Sequence, residues 1–213
     1  MKIDFNTHYS RWHFKGLCRK AERIGLDALV MTGLKNNQDR KHKSLLIFPA
    51  QEVDWKAAME IQGYRTLEDQ ENHKASTVRK EVYTGKALVL LPSNVDFLRN
   101  HDKRLYPLLE QVSELGGVTI SLHNENNWPI ALSHDSTGYI YPFDAIRIKP
   151  GDIKDIYSGL AYNEVPVAGS DSCSAKNLTQ RKAFTEYGCW IDNRDKLIDE
   201  LDKGLEQGHH TPE

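Results

Sequence analysis

Short apolar runs rich in β-branched residues recur along the chain, separated by polar segments and glycines. Runs of this length and composition are typical of buried strands, and helical spacing appears between several of them. Seven strands are predicted, at residues 2–5, 26–32, 45–48, 87–91, 118–122, 143–148 and 165–168. Several of these strands are followed by ligand-type polar residues, a pattern typical of parallel α/β active sites.

The segments between the strands predict four helices. The first runs from Ser10, as its cap, to about Ile24, with Gly25 ending it, so the chain opens with a β-α-β unit. The second spans residues 96–115, with Pro107 starting a new segment, the third residues 153–160, and the last residues 194–205 with Asn193 as a possible cap. Residues 36–43 are a solvated basic loop, and residues 56–86 form an excursion, read as a helix followed by a hairpin.

Alternating strands and helices predict an α/β fold, a distorted seven-stranded (β/α)7 TIM-like barrel, although periodicity alone does not separate a closed barrel from a flat sheet. The 213 residues suit one domain, residues 1–205, with a frayed tail at 206–213. A net charge of -2 gives no global attraction for nucleic acid or anionic lipid, while a local basic patch stays open. Three cysteines without paired spacing and no long apolar window indicate a cytoplasmic protein without a membrane span.

Four residues at or soon after predicted strand ends are candidate metal ligands. They are His8, Glu52, His123 and Asp171, a mixed nitrogen and oxygen set that suits zinc, manganese or iron. A divalent ion held there would activate water and polarise a phosphoryl oxygen. The ordinary alternative is that each is a polar loop side chain. His13 and Cys173 are weaker candidates, since an exposed helical histidine or an inert small thiol explains them equally well.

Basic and aromatic residues near the predicted strand ends are candidates for phosphate and base contacts. Phosphate binding is predicted for Arg11, Lys35, Arg40 and Lys176, with Lys41 beside them, against the alternative of a solvated surface. Trp12, Trp55 and Trp128 are candidates for stacking on a base or for packing.

Six of these segments, in order, resemble the PHP superfamily, the polymerase and histidinol phosphatase domain. They are I-D-F-N-T-H-Y-S, A-E-R-I-G-L-D-A-L-V-M-T-G-L, F-P-A-Q-E-V, L-V-L-L-P-S-N, G-G-V-T-I-S-L-H-N and V-P-V-A-G-S-D-S-C-S. The resemblance covers most of the chain. It implies a distorted seven-stranded barrel, up to three metal ions at the carboxyl ends of the strands, and phosphoester hydrolysis.

Several expected ligands of that family are replaced here. Asn6 stands in place of the first histidine, Gly33 and Leu34 replace an Asp-His pair, and Ala87 and Cys173 each replace a histidine. The resemblance leaves His8, Glu52, His123 and Asp171, with His13 as a further candidate and Asn6 as a weak donor, so one or two ions at most are expected.

Two functions follow from this reduced ligand set. One is a metal-dependent phosphoesterase acting on a phosphorylated small molecule or nucleotide, in which His8, Glu52 and Asp171 anchor a metal-bound water and His123 is a second-site ligand or general acid. The other is a catalytically inactive barrel that binds RNA or protein, since a protein subunit of ribonuclease P resembles such a metal-free barrel. Neither function implies contact with a membrane.

Overall fold

The computed structural model describes residues 1–63, 77–122, 134–135, 138–139, 143–148, 165–180 and 183–207. Its strands are β1 (Lys2–His8), β2 (Ala28–Thr32), β3 (Arg40–His42), β4 (Leu45–Pro49), β5 (Gln51–Gly63), β6 (Thr77–Leu90), β7 (Val118–Leu122), β8 (His134–Asp135), β9 (Gly138–Tyr139), β10 (Ala145–Ile148), β11 (Val165–Ala168) and β12 (Thr185–Glu186). Its helices are α1 (Phe14–Arg23), α2 (Leu105–Glu114), α3 (Ala175–Gln180) and α4 (Arg194–Gln207).

The strands form two five-stranded sheets and a separate β8-β9 ribbon. The first sheet has the order β12-β1-β2-β4-β3, in which β1, β2 and β4 are parallel and both edge strands are antiparallel. The second sheet has the order β11-β10-β7-β6-β5, in which β11, β10 and β7 are parallel and the β5-β6 hairpin is antiparallel. A parallel bridge between Thr7 and Ser172 links the two sheets where β1 passes the end of β11.

The predicted (β/α)7 TIM-like barrel is therefore wrong. Over the described residues the strand ladders make two mixed sheets instead of one closed barrel, and they are accompanied by four helices. A parallel barrel needs a crossover connection after each strand. Only Ala50 separates β4 from β5, so the chain runs directly into a long hairpin, and β3 pairs antiparallel with β4 after a two-residue turn.

Individual elements were predicted unequally well. Strands β7 and β11 match their predicted bounds, and Asn193 caps α4, because its Oδ1 accepts a hydrogen bond from the Lys196 backbone N–H at 2.9 Å. Helix α1 begins later than predicted, at Phe14, without a side-chain cap. The basic loop contains β3, and the predicted fourth strand is the end of β6. Of the predicted helix-and-hairpin excursion, residues 56–63 and 77–86 pair as antiparallel strands of β5 and β6, and residues 64–76 lie outside the described residues. The predicted helix at 153–160 lies outside the described residues.

One hydrophobic core joins the two sheets. Phe5 and Val30 of the first sheet pack in the same buried cluster as Leu88, Ile120 and Val167 of the second. Helix α4 covers this core with Leu197, Ile198 and Leu201, three residues whose helical spacing already indicated a buried face. Within the described residues, no helix is both long enough and apolar enough to cross a bilayer.

Candidate functional site

Strand β1 places polar residues in the protein interior, and it contains a β-bulge. Asp4 and Asn6 are buried, and the pairing of β1 with β2 shifts register between Phe5 and Thr7. Asn6 occupies the left-handed region with φ of 77°, which is uncommon for a residue other than glycine. A bulge redirects the side chains that follow it. His8, at the end of β1, consequently lies next to the ends of β2 and β11.

The end of β11 passes directly against β1 because Gly169 has no side chain. A Cβ built at Gly169 would lie 1.5 Å from the Phe5 carbonyl oxygen, so only glycine fits this contact. Two residues later Asp171 adopts φ of 53°. The Asn6 side-chain amide donates to Asp171 Oδ1 at 3.2 Å, and the backbone N–H of His8 donates to the Ser172 carbonyl at 2.9 Å. Backbone strain of this kind clusters at functional sites.

The His8 imidazole is held from both sides by side chains. Nε2 lies 2.7 Å from Asp171 Oδ1, and Nδ1 lies 2.8 Å from the hydroxyl oxygen of Thr32. The Thr32 hydroxyl also lies 3.3 Å from the Thr7 carbonyl. The His8 and Asp171 side chains are 34% and 41% exposed, so the pair opens to solvent. The contacts thus run from a hydroxyl to an imidazole and from the imidazole to a carboxylate. Many hydrolases use this arrangement to activate a nucleophile.

Two buried charged residues lie beneath this chain of contacts. Arg147 of β10 is buried, and its Nη1 lies 3.8 Å from Asp171 Oδ1. Asp4 is fully buried and accepts a hydrogen bond from the Ser170 backbone N–H at 2.8 Å. Burial raises the pKa of Asp4 to about 8, despite the opposing effects of Ser170 and Arg147. Burial therefore favours the neutral form of Asp4, and Arg147 is the cation that faces Asp171.

A cleft of about 440 Å³ opens beside His8. It is lined by His8, Thr32, Gly33, Leu34, Ala50, Gln51, Glu52 and Phe97. Its wall is fixed where the Gln51 amide exchanges two hydrogen bonds with the Leu98 backbone, at 2.9 and 2.8 Å. The Lys86 ammonium donates to Glu52 Oε1, and this hydrogen bond raises the pKa of Lys86. The cleft thus combines an imidazole, a hydroxyl and a paired carboxylate.

The donors described here do not fit the metal cluster that the PHP resemblance implies. Asp171 Oδ1 is already contacted by His8, Asn6 and Arg147, and the carboxylate of Glu52 is paired with Lys86. Each of these carboxylates is therefore already paired with a cation of the protein itself, Asp171 with Arg147 and Glu52 with Lys86. Neither is left to neutralise a divalent ion. Over the described ranges, no group of three or more His, Cys, Asp or Glu side chains is arranged to hold a metal.

The remaining predicted site residues that the structure describes lie outside the lining of the cleft. His13 and Arg11 are exposed in the turn before α1, and Lys35 and Lys176 are exposed as well. Arg40 is half-buried and donates to Asn36 Oδ1 at 2.6 Å. Cys173 is exposed with its sulfur 3.6 Å from the Asn177 amide nitrogen. None of these six lines the cleft, and His123 lies outside the described residues.

Three residues of the site were missed by sequence reasoning. Thr32 ends an apolar strand immediately before a glycine. A polar residue at the carboxyl end of a buried strand is a candidate for a functional site, so Thr32 could have been included. Asp4 and Arg147 each interrupt an apolar run, in I-D-F and A-I-R-I. A charged residue inside a predicted buried strand needs a partner, so both were detectable as members of a buried polar group.

Comparisons with known proteins leave the family open. No protein-family model matches the sequence, and no curated protein matches it. One similar solved structure is that of PsfC from Pseudomonas syringae PB-5123, with 14% sequence identity, a TM-score of 0.43, and coverage of 97% of this chain and 98% of that chain. A likeness at this level assigns neither fold nor function, so the functional argument rests on the geometry of the cleft.

Proposed function

We propose that this chain hydrolyses the ester of a small phosphorylated molecule in the His8 cleft, using its own side chains. The observation that carries the proposal is the continuous contact from the Thr32 hydroxyl to His8 Nδ1 and from His8 Nε2 to Asp171, at 2.8 and 2.7 Å. Thr32 and His8 both line the cleft, so the hydroxyl and its base lie where a substrate would bind.

The proposed reaction begins with proton transfer from the Thr32 hydroxyl to His8 Nδ1. The Thr32 oxygen attacks phosphorus, the bond to the leaving alkoxide breaks, and the imidazolium returns its proton to that alkoxide. Asp171 stabilises the imidazolium through Nε2 and fixes the orientation of the ring. Water then attacks the phosphothreonine with His8 as base, which releases inorganic phosphate and restores the Thr32 hydroxyl.

The charges around the cleft favour a phosphorylated substrate. Glu52 is paired with Lys86, and Asp171 faces Arg147, so neither carboxylate is left to repel an anion. The Lys86 ammonium has three N–H donors, and it donates one of them to Glu52, a residue that lines the cleft. We therefore assign Lys86 to binding a phosphate oxygen.

The test is hydrolysis of p-nitrophenyl phosphate and bis(p-nitrophenyl) phosphate by purified protein in the presence of EDTA. We expect measurable turnover that falls by about 10² to 10⁴-fold in Thr32→Val and His8→Gln, because each removes one member of the proton-transfer chain. Thr32→Ser is the matched control, since it keeps the hydroxyl and should keep most of the activity.

Two results would contradict the proposal. One is the absence of turnover on both substrates. The other is turnover that EDTA abolishes, that manganese or zinc restores, and that survives Thr32→Val. That second result would return the site to the metal-dependent hydrolysis expected from the sequence resemblance.

A further inference from the structure

The charge of this chain is unevenly distributed along its sequence. Residues 9–44 contain nine Lys and Arg against three Asp and Glu, whereas the rest of the chain contains nineteen against twenty-seven. The overall charge of -2 therefore conceals a strongly basic segment. All residues of that segment are described, and they form the turn before α1, helix α1, β2, β3 and the turn that leads from β3 to β4.

Helix α1 presents the basic residues as a stripe. Lys15, Arg19 and Arg23 are spaced four residues apart, are all exposed, and therefore follow one face of the helix at intervals of about 6 Å. The buried residues Leu17 and Ala21 lie on another face, toward the core. The stripe is thus fixed by packing on the opposite side.

The β3-β4 hairpin widens this stripe into a surface. Phe14 contacts the ring of His42 edge-on with 6.1 Å between centroids, and the Ser44 hydroxyl donates to Glu22 at 3.2 Å. These contacts hold the hairpin along α1 and add Lys41 and Lys43, both exposed. We call the resulting surface the basic face, formed by Arg11, Lys15, Arg19, Arg23, Lys41 and Lys43.

The basic face is not neutralised by the protein. Within the described part of the chain, none of its six cations forms a salt bridge. Trp12 lies at the end of the face next to Arg11, and it is 88% exposed. A tryptophan this exposed contributes nothing to the core, and burying its ring against a partner would be favourable.

We propose that the basic face binds single-stranded nucleic acid. Cations aligned along a helix match the phosphates of a strand, and an exposed aromatic ring provides a surface on which an unpaired base stacks. Duplexes offer no free base faces within the strand, so Trp12 favours the single-stranded form. This surface lies outside the lining of the His8 cleft, and the inference is independent of the proposed hydrolysis.

The test is fluorescence anisotropy with labelled oligo(U) and oligo(dT) of about 20 nucleotides, titrated with the intact chain at several salt concentrations. We expect binding that weakens as salt rises. The triple variant Lys15→Gln, Arg19→Gln, Arg23→Gln should bind at least tenfold more weakly, with a salt slope shallower by about 2, because three phosphate contacts are lost. Trp12→Ala should weaken binding by roughly tenfold.

The matched control replaces three exposed cations elsewhere, in the variant Arg99→Gln, Lys103→Gln, Lys203→Gln, which should bind like wild type. Circular dichroism verifies that each variant is folded.

The inference is overturned if wild type does not bind the oligonucleotides, if the two triple variants bind equally, or if the face binds phosphatidylserine vesicles instead. Thr32→Val should bind normally, so failure of the hydrolysis proposal and failure of this one are distinguishable.

Discussion

Two polar clusters in this protein differ in how far their central side chains are exposed to solvent. The first surrounds Arg194 at the start of α4. Its guanidinium is fully buried and donates to Asn37 Oδ1, to the Asn37 carbonyl at 3.0 Å and to the Pro49 carbonyl at 3.3 Å. Asp39 accepts from the Arg194 backbone N–H at 2.9 Å and lies 3.7 Å from Nε. We call it the sealed cluster because the Arg194 side chain at its centre is fully buried.

The second cluster is centred on His8 and is open. His8 and Asp171 are about a third or more exposed, a cleft adjoins them, and Asn6 and Asp171 hold left-handed backbone conformations. Buried hydrogen-bonded networks rigidify a fold, whereas strained and accessible polar groups are typical of functional sites. We therefore infer that Arg194 serves stability, because it joins α4 to the segment before β3 and to β4. The accessible His8 cluster is the one for which we propose chemistry.

The largest effect is expected from Asp4, which underlies the open cluster. Burial raises the pKa of Asp4 from 3.8 to about 8 in the folded chain. Between these values the folded chain keeps a proton that the unfolded chain releases, so stability falls as pH rises from 4 to 8 and is constant above. The loss is on the order of 5 kcal/mol, at about 1.4 kcal/mol per tenfold change in proton affinity.

Asp4→Asn removes this titration while keeping an oxygen that accepts from the Ser170 N–H. Urea unfolding at pH 5 and pH 8 should show a smaller loss of stability for Asp4→Asn than for wild type, and the variant should be the more stable of the two at pH 8. Identical pH dependence in both proteins would show that Asp4 is ionised in the fold, and the charge assignment beneath His8 would be wrong.

The next effect is expected from Arg194, at the sealed cluster. Arg194→Leu leaves Asn37 Oδ1 and the carbonyl groups of Asn37 and Pro49 without their buried donor, and Asp39 without its ion-pair partner. The loss should lower the free energy of unfolding by about 3 to 5 kcal/mol. Urea denaturation measures this loss. Arg194→Lys should recover only part of it, because an ammonium does not reproduce the planar fork. Lys203→Gln, exposed on the same helix, is the control. Equal stability of Arg194→Leu and wild type would remove the distinction between the two clusters.

The sequence predicted the local elements of this site better than its global fold. Polar residues after apolar runs located the ends of β1 and β11, and the structure brings His8 and Asp171 together there. Parallel pairing of β1, β2 and β4 explains why Glu52 and His8 line one cleft. Predicting a helix between β4 and the next strand failed, since residues 51–63 pair directly with β6. Apolar periodicity does not report the direction of pairing.

The exact contacts of the site depended on features that no sequence pattern states. The bulge at Asn6 and the close passage of Gly169 past Phe5 determine which side chains meet. Metal ligands were predicted because the histidine and the carboxylates were considered as donors to a metal ion, and no partner cation was predicted for the carboxylates. In the structure Lys86 and Arg147 contact those carboxylates instead, and Thr32 contacts the histidine.

The most direct test of the account is the state of Thr32 during turnover. Protein mixed with excess p-nitrophenyl phosphate in EDTA, quenched in acid and digested, is analysed by peptide mass spectrometry. The account predicts a phosphorylated peptide with the modification on Thr32, absent from His8→Gln. Turnover with an unmodified Thr32 peptide, or phosphate on a different residue, would contradict the role of the Thr32, His8 and Asp171 contacts.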